Sequence, residues 1–255
     1  MKRIPEEPAY VLHRYDWSET SLILEMFTRR HGRVALAAKG AKRPHSSLRP
    51  VLLPMQPLHV SYGGDAEVRT LKSAEWIGGQ AMPAGQALLT GYYVNELVLR
   101  LLAREDPHEA LFEVYADLMA LIGGGSDGGN GSGLGAAVQA GLRAFELVLL
   151  QETGHLPSLD VQTSTGSALQ PAALYRLMPE AGLRPENSKD GASLTGAQWR
   201  SLHERLSARP VLALLIPACL PVREALRPQL RALLHYHCGP RGLRTRDLIM
   251  ELREL

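Results

Sequence analysis

"PLHVSYGGDAEVRTLKSAEW", residues 57–76, decides how the first third of the chain folds. Leu58, Val60 and Tyr62 alternate with His59 and Ser61, the period-two pattern of a strand with one buried face. Gly63-Gly64-Asp65 interrupts the run with residues that tolerate a tight reversal, after which Val68 and Leu71 restore apolar positions. The stretch predicts a β-hairpin. Upstream, "RVALAAKG" follows Gly32 and places Val34, Leu36 and Ala38 on one face, and "SLILEMFT" and "YVLHRYDW" are further short apolar runs. Five short strands before residue 77 predict a small closed barrel. Residues 43–57 are too rich in proline for a central strand.

After Gly78-Gly79 the pattern changes to helical. "GQALLTGYYVNELVLRLLARED", "PHEALFEVYADLMALI" and "AAVQAGLRAFELVLLQETG" predict three helices, the last closed by Gly154. Eight glycines among residues 123–135 mark a flexible connector between the second and third. Residues 156–193 lack periodicity and predict an irregular or hairpin insertion. "TGAQWRSLHERL", "VREALRPQLRALLHYHC" and "RTRDLIMEL" predict a helical end, with Pro228 inside one helix. The expected fold class is α+β: an N-terminal five-stranded barrel over residues 1–79 and a mainly helical domain over 80–255.

Composition excludes several classes. Hydrophobic residues make up 45% and charged residues 21%, ordinary for a globular chain. The start "MKRIPEEPAYV" has no apolar signal segment, and the run "VLALLIPACLPV" (211–222) is too short to span a bilayer and carries Pro217 and Pro221. Two cysteines, Cys219 and Cys238, give no disulfide framework and point to a reducing, cytoplasmic compartment.

Catalytic and metal motifs are weak. Gly124-Gly125-Ser126-Asp127-Gly128 fits G-x-S-x-G, and Gly123, Gly125 and Gly128 fit G-x-G-x-x-G. Both patterns need a preceding strand, whereas a helix precedes them here. His235, His237 and Cys238 with Cys219 offer metal-type donors, but His235 and His237 lie two apart on a helix and point to different faces. Cys219 sits in an apolar run and reads as core. The expectations are no catalytic residue, no metal and no cofactor.

Charge carries the stronger signal. Residues 29–49 hold seven cations (Arg29, Arg30, Arg33, Lys39, Lys42, Arg43 and Arg49) and no Asp or Glu, in a chain of net charge +2. Most charge runs are solvated faces. This one has no acidic neighbours in sequence and lies within a predicted barrel of a kind that binds single strands through a basic groove and stacking aromatics. Tyr15, Trp17, Phe27 and Tyr62 are the candidate platforms. A second cluster comprises Arg223, Arg227, Arg231, Arg241, Arg244 and Arg246. Arg223, Arg227 and Arg231 recur every fourth residue, and His235 continues the row.

Several motifs together carry a family resemblance that runs nearly end to end: "YDWSETSLILEMFT", "GRVALAAKGAKR", "LLPMQPLHVSYGGDAEVRTLKSAEW", "GYYVNELVLRLL", "LRAFELVLLQETGH", "SLTGAQWRSL" and "GLRTRDLI". In these the chain resembles the RecO family of bacterial recombination mediators. The resemblance implies an OB-fold barrel with a helical C-terminal domain, binding to single- and double-stranded DNA, and annealing of complementary strands. It also implies partnership with RecR and with the acidic C-terminal tail of the single-strand binding protein (SSB), in loading RecA in RecF-pathway repair. Many members carry a four-cysteine zinc module after the third helix. Residues 159–185 here contain no cysteine, so the chain resembles the metal-free branch. The expected DNA contacts are Arg29, Arg30, Arg33, Lys39, Lys42, Arg43, Arg49, Arg227, Arg231, Arg241, Arg244 and Arg246. Arg143 is the candidate cation at the rim of an SSB-tail pocket. The chain is expected to be a monomer without enzymatic activity. The rival expectation is a protein scaffold whose basic surface meets an acidic partner.

Overall fold

The computed structural model describes residues 3–124, 135–187, 192–208, 210–239 and 242–245. The chain divides into two compact units, Met1–Ser126 with Leu248–Leu255, and Asp127–Asp247. Compactness therefore divides the chain well after residue 79, where its strands give way to helices.

The first unit opens with five strands: β1 (Arg3–Asp16), β2 (Leu22–Thr28), β3 (Gly32–Ala38), β4 (Leu58–Gly63) and β5 (Val68–Trp76). They close a barrel in the order β1-β2-β3-β5-β4, with β4 returning to pair with β1. All neighbours are antiparallel except β3 and β5. The alternating residues seen in the sequence fill its interior: Val34, Leu36 and Ala38 meet Leu58, Val60, Tyr62 and Leu71. Val68 is exposed instead, because it lies three residues from the inward Leu71 and so on the opposite face of β5. β1 begins well before the apolar run that marks it. Pro5 and Pro8 disguise its start, and an irregularity between Ile4 and Glu7 accommodates them.

Two helices, α1 (Gly85–Leu101) and α2 (Glu109–Gly124), belong to the same unit. α1 lies on β1, where the buried Asn95 amide donates to the Leu12 carbonyl (3.1 Å) and its oxygen accepts from the Tyr115 hydroxyl of α2 (2.6 Å). Tyr10, Phe27, Phe112 and Tyr115 pack ring to ring between barrel and helices, with centroids 5.0 to 5.7 Å apart. β2 is therefore buried on both faces. Gly32 turns β2 into β3 with φ +62°, and a Cβ there would strike the Asp106 backbone carbonyl.

The second unit is built on α3 (Ala136–Glu152), which is buried nearly all round from Val138 to Leu150. The insertion forms a three-stranded sheet, β7-β6-β8, from β6 (Leu174–Met178), β7 (Gly182–Pro185) and β8 (Leu194–Thr195). Thr195 and Gln198 form a reciprocal capping box at the start of α4 (Gly196–Ser207). The apolar run 211–222 becomes α5 (Leu212–Cys219) and a 3-10 turn (Leu220–Val222). α6 (Arg223–Cys238) continues through Pro228, whose ring lies on the exposed side. Buried Gln229 ties α6 to the insertion, accepting from the Leu177 N–H (2.6 Å) and donating to the Ala192 carbonyl (2.7 Å). No helix among the described residues is long and apolar enough to cross a membrane.

Candidate nucleic-acid interface

The basic segment divides into two parts with opposite environments. Residues 29–33 turn β2 into β3 and face carboxylates. Arg29 Nε lies 2.8 Å from both Glu109 and Glu113, one helical turn apart on α2. Arg30 holds Glu7 through its backbone N–H (2.7 Å) and its Nε (2.8 Å), and the Glu7 side chain is fully buried. Arg33 donates to the Leu99 carbonyl (2.6 Å) and pairs with Glu25, itself nearly buried and bonded to Arg104. Burial pulls the Arg33 guanidinium below its ordinary value, with Glu25 opposing. Its bond to Glu25 raises that of Arg104.

A buried carboxylate left without a cation costs several kcal/mol, so Arg30 and Arg33 are needed where they stand, whereas Arg29 meets exposed carboxylates. The expectation that all seven cations lack acidic partners is corrected here. Arg33 in particular is an interior strut, only 17% exposed, and not a free phosphate contact. The sequence concealed this because Glu7, Glu109 and Glu113 lie far from the segment in sequence, and Glu25 on the preceding strand.

Residues 39–49 behave differently. They form successive turns between β3 and β4, with N–H groups of Arg43, Ser46 and Arg49 returning to the carbonyls of Gly40, Arg43 and Ser46. Ala41, Leu48, Val51 and Leu52 pack inward as a cap on the barrel core. Lys39, Arg43 and Arg49 point outward and have no carboxylate partner among the described residues. Lys42 fastens the connection to the β1–β2 turn: its backbone N–H donates to the Thr20 carbonyl (2.9 Å), and its ammonium lies 3.0 Å from both Asp16 and the Ser18 carbonyl. Arg14, on the last exposed stretch of β1, donates to the Leu52 carbonyl (3.1 Å) from the other side.

Those bonds bring two exposed aromatics to the same end of the barrel. Trp17 is 71% exposed and Tyr15 49%, with the His13 ring edge-on to Tyr15 at 4.5 Å. The other two candidate platforms are corrected: Phe27 and Tyr62 are fully buried, and burial pushes the Tyr62 hydroxyl up to about 12. Arg14 and His13 belong to this face and were missed in the sequence reading. The available signal was the loss of alternation after Leu12, where every residue from His13 to Glu19 is exposed. Against five cations (Arg14, Lys39, Lys42, Arg43 and Arg49) the face carries Asp16 and Glu19. It is a positive surface with a stacking edge, chemically suited to a polyanion bearing flat bases.

On α6, Arg227, Arg231 and His235 are exposed in a row as expected, while Arg223 is held by the Leu220 carbonyl (2.8 Å) and Gln139 (3.3 Å). Arg244 is exposed; Arg241 and Arg246 lie outside the described residues, as does the Ser126 motif. Arg143 is corrected. It is buried within α3 and pairs with the buried Glu146 at 3.1 Å, so it is not an exposed rim charge. Cys219 is buried, and burial pushes its thiol up to about 12. Among the described residues no group of three or more His, Cys, Asp or Glu is placed to hold a metal ion.

Comparison with known proteins agrees with this architecture. The family model for the N terminal of recombination protein O matches residues 1–80, and that for its C terminal matches 82–247. The chain is 58% identical over 258 residues to the DNA repair protein RecO of Variovorax paradoxus, covering 99% of this chain and 98% of the relative. It is 56% identical over 254 residues to that of Albidiferax ferrireducens (100% and 98%) and 55% over 254 to that of Polaromonas naphthalenivorans (100% and 99%). With both halves matched and identity above one half from end to end, the chain belongs to the RecO family.

Proposed function

We propose that this chain is a DNA repair protein that binds single-stranded DNA across the barrel end formed by residues 13–17 and 39–49, and anneals complementary strands. The observation that carries the reading is the meeting of Lys39, Arg43 and Arg49, without carboxylate partners, with the exposed rings of Tyr15 and Trp17. The cations neutralise phosphates and release condensed counterions; the rings take base faces without regard to sequence. Annealing requires no bond to be made or broken by the protein. Two polyanions must approach, and a cationic surface lowers their repulsion while base pairing supplies specificity. Double-stranded DNA meets the same cations through its phosphates alone.

Partnership with RecR and with the SSB tail, and promotion of RecA loading on SSB-coated DNA, complete the proposal by family membership. No residue is assigned to either protein partner, since Arg143 is enclosed. The test is the affinity of the full chain for a labelled oligonucleotide as a function of salt. A slope of log K against log salt of about −3.5 is expected for five phosphate contacts on a single strand. A slope near zero, or equal affinity for an acidic peptide of the same charge, would overturn it in favour of a protein scaffold.

A further inference from the structure

A groove of about 590 Å³ lies on the exposed side of α6, between that helix and the β6–β7 turn. Pro228 and Ala232 of the helix and Pro179 of the turn make its floor and wall; Arg227, Arg231, His235 and Tyr236 line it. Successive four-residue steps along α6 advance about 6 Å. Arg227 and His235 have no carboxylate partner among the described residues.

Tyr236 is the unusual member. It is 48% exposed and places a flat aromatic ring on the groove's lining. Its hydroxyl is held by Glu180, a turn residue at φ +61°, and its ring abuts His237 edge to face at 5.1 Å. His237 is stacked in turn on His155, with centroids 4.0 Å apart and planes 14° from parallel. The ring is thus fixed from two sides. Glu180 sits at the hydroxyl end of Tyr236.

We infer that this groove is a second nucleic-acid site, which takes an unpaired strand by stacking a base on Tyr236 while its phosphates run along Arg227, Arg231 and His235. The inference rests on the DNA-binding reading above and adds a second strand's place to it. An unpaired strand is favoured over a duplex because the groove accepts only a nucleotide or so, and a duplex offers no free base face to Tyr236. An annealing protein needs such a place: one strand held on the barrel and a second one held unpaired elsewhere.

The experiment is photocrosslinking of the full chain to an oligonucleotide carrying 5-iodouracil, with the attached peptides mapped by mass spectrometry. Crosslinks are expected at Tyr236, as well as at Tyr15 or Trp17. The variant Lys39→Ala/Arg43→Ala/Arg49→Ala should keep the Tyr236 crosslink at low salt. Tyr236→Leu should slow annealing roughly tenfold while Tyr236→Phe, which loses only the Glu180 bond, should not. Arg227→Ala/Arg231→Ala, added to the barrel variant, should remove most of the remaining Tyr236 crosslink. Crosslinks confined to the barrel would overturn this inference and leave the DNA reading standing; crosslinks nowhere would sink both. Protection of Tyr236 from modification by an acidic peptide, with no effect of oligonucleotide, would assign the groove to a protein instead.

Discussion

Replacing Lys39, Arg43 and Arg49 by alanine should change the salt linkage of DNA binding without changing the fold. All three side chains are exposed and hold no carboxylate, so their loss leaves no buried charge unpaired. Each phosphate neutralised on a single strand contributes about −0.7 to the slope of log K against log salt. Five contacts from Arg14, Lys39, Lys42, Arg43 and Arg49 give about −3.5, and removing three leaves about −1.4. At 0.1 M salt that difference is about two powers of ten in affinity, or ~3 kcal/mol. Fluorescence anisotropy of a labelled homopolymer, titrated between about 50 and 300 mM salt, measures both slope and affinity. The paired control is Arg33→Ala. It should leave the slope near its original value and lower stability by about 2 kcal/mol, because Glu25 stays buried with Arg104 as its remaining cation. The reasoning fails if Arg33→Ala flattens the slope as much as the triple variant does, or if the triple variant loses affinity for one sequence and not another.

Three further outcomes are expected. Trp17→Ala should weaken single-strand binding by about 1–3 kcal/mol and duplex binding by much less, since a duplex presents no base face to stack; parallel titrations with matched strands measure it. Thiol titration in the native state should label Cys238, which is partly exposed, well before Cys219, whose burial pushes its thiol up to about 12; denaturant should make the two equal. Acidification should destabilise the unit containing His237. Burial, and then its neighbour His155, lower the folded value of His237 below its ordinary 6.5, so the unfolded chain binds the proton more readily. The stabilisation is complete above about 6.5 and is lost as pH falls through the lowered folded value. Thermal unfolding at a series of pH values should show that loss in the native chain and a smaller one in His237→Gln.

The barrel was legible because its strands alternate: Val34, Leu36 and Ala38, then Leu58, Val60 and Tyr62, each put one face inward. The start of β1 was not, because Pro5 and Pro8 argue against a strand until the irregularity near Glu7 is known. The aromatics were ambiguous for a specific reason. β2 is covered on both faces, so Phe27, which points at Phe112 of α2, looks in sequence just like an outward ring on a half-exposed strand. For Arg143 a usable signal existed. A helix apolar all round has no solvent face, so a lone arginine in it must be paired inside, as it is with Glu146. The pairing of Arg29, Arg30 and Arg33 had no such signal, since only the closed fold brings Glu7, Glu25, Glu109 and Glu113 to them.

That pairing bears on how one segment serves two purposes. Guanidinium groups suit the first half, because a planar group with several donors can satisfy a buried carboxylate and a backbone carbonyl together, as Arg33 does with Glu25 and Leu99. The second half mixes Lys with Arg, where only exposed positive charge is required and no fixed geometry. Gly40 marks the change, at φ +71° immediately after Lys39, where the chain leaves β3 and enters its series of turns. Before it, Arg29, Arg30 and Arg33 are bound to carboxylates of α2 and of the barrel, and swapping Arg33 for Lys should cost stability. After it, the same exchange should be nearly neutral for both stability and DNA affinity, since the phosphate contacts depend on charge alone. The two halves of the segment are thus distinguishable by one conservative substitution in each, Arg33→Lys and Arg43→Lys, read by thermal unfolding. Equal losses in the two would mean that the outward cations, too, are structural.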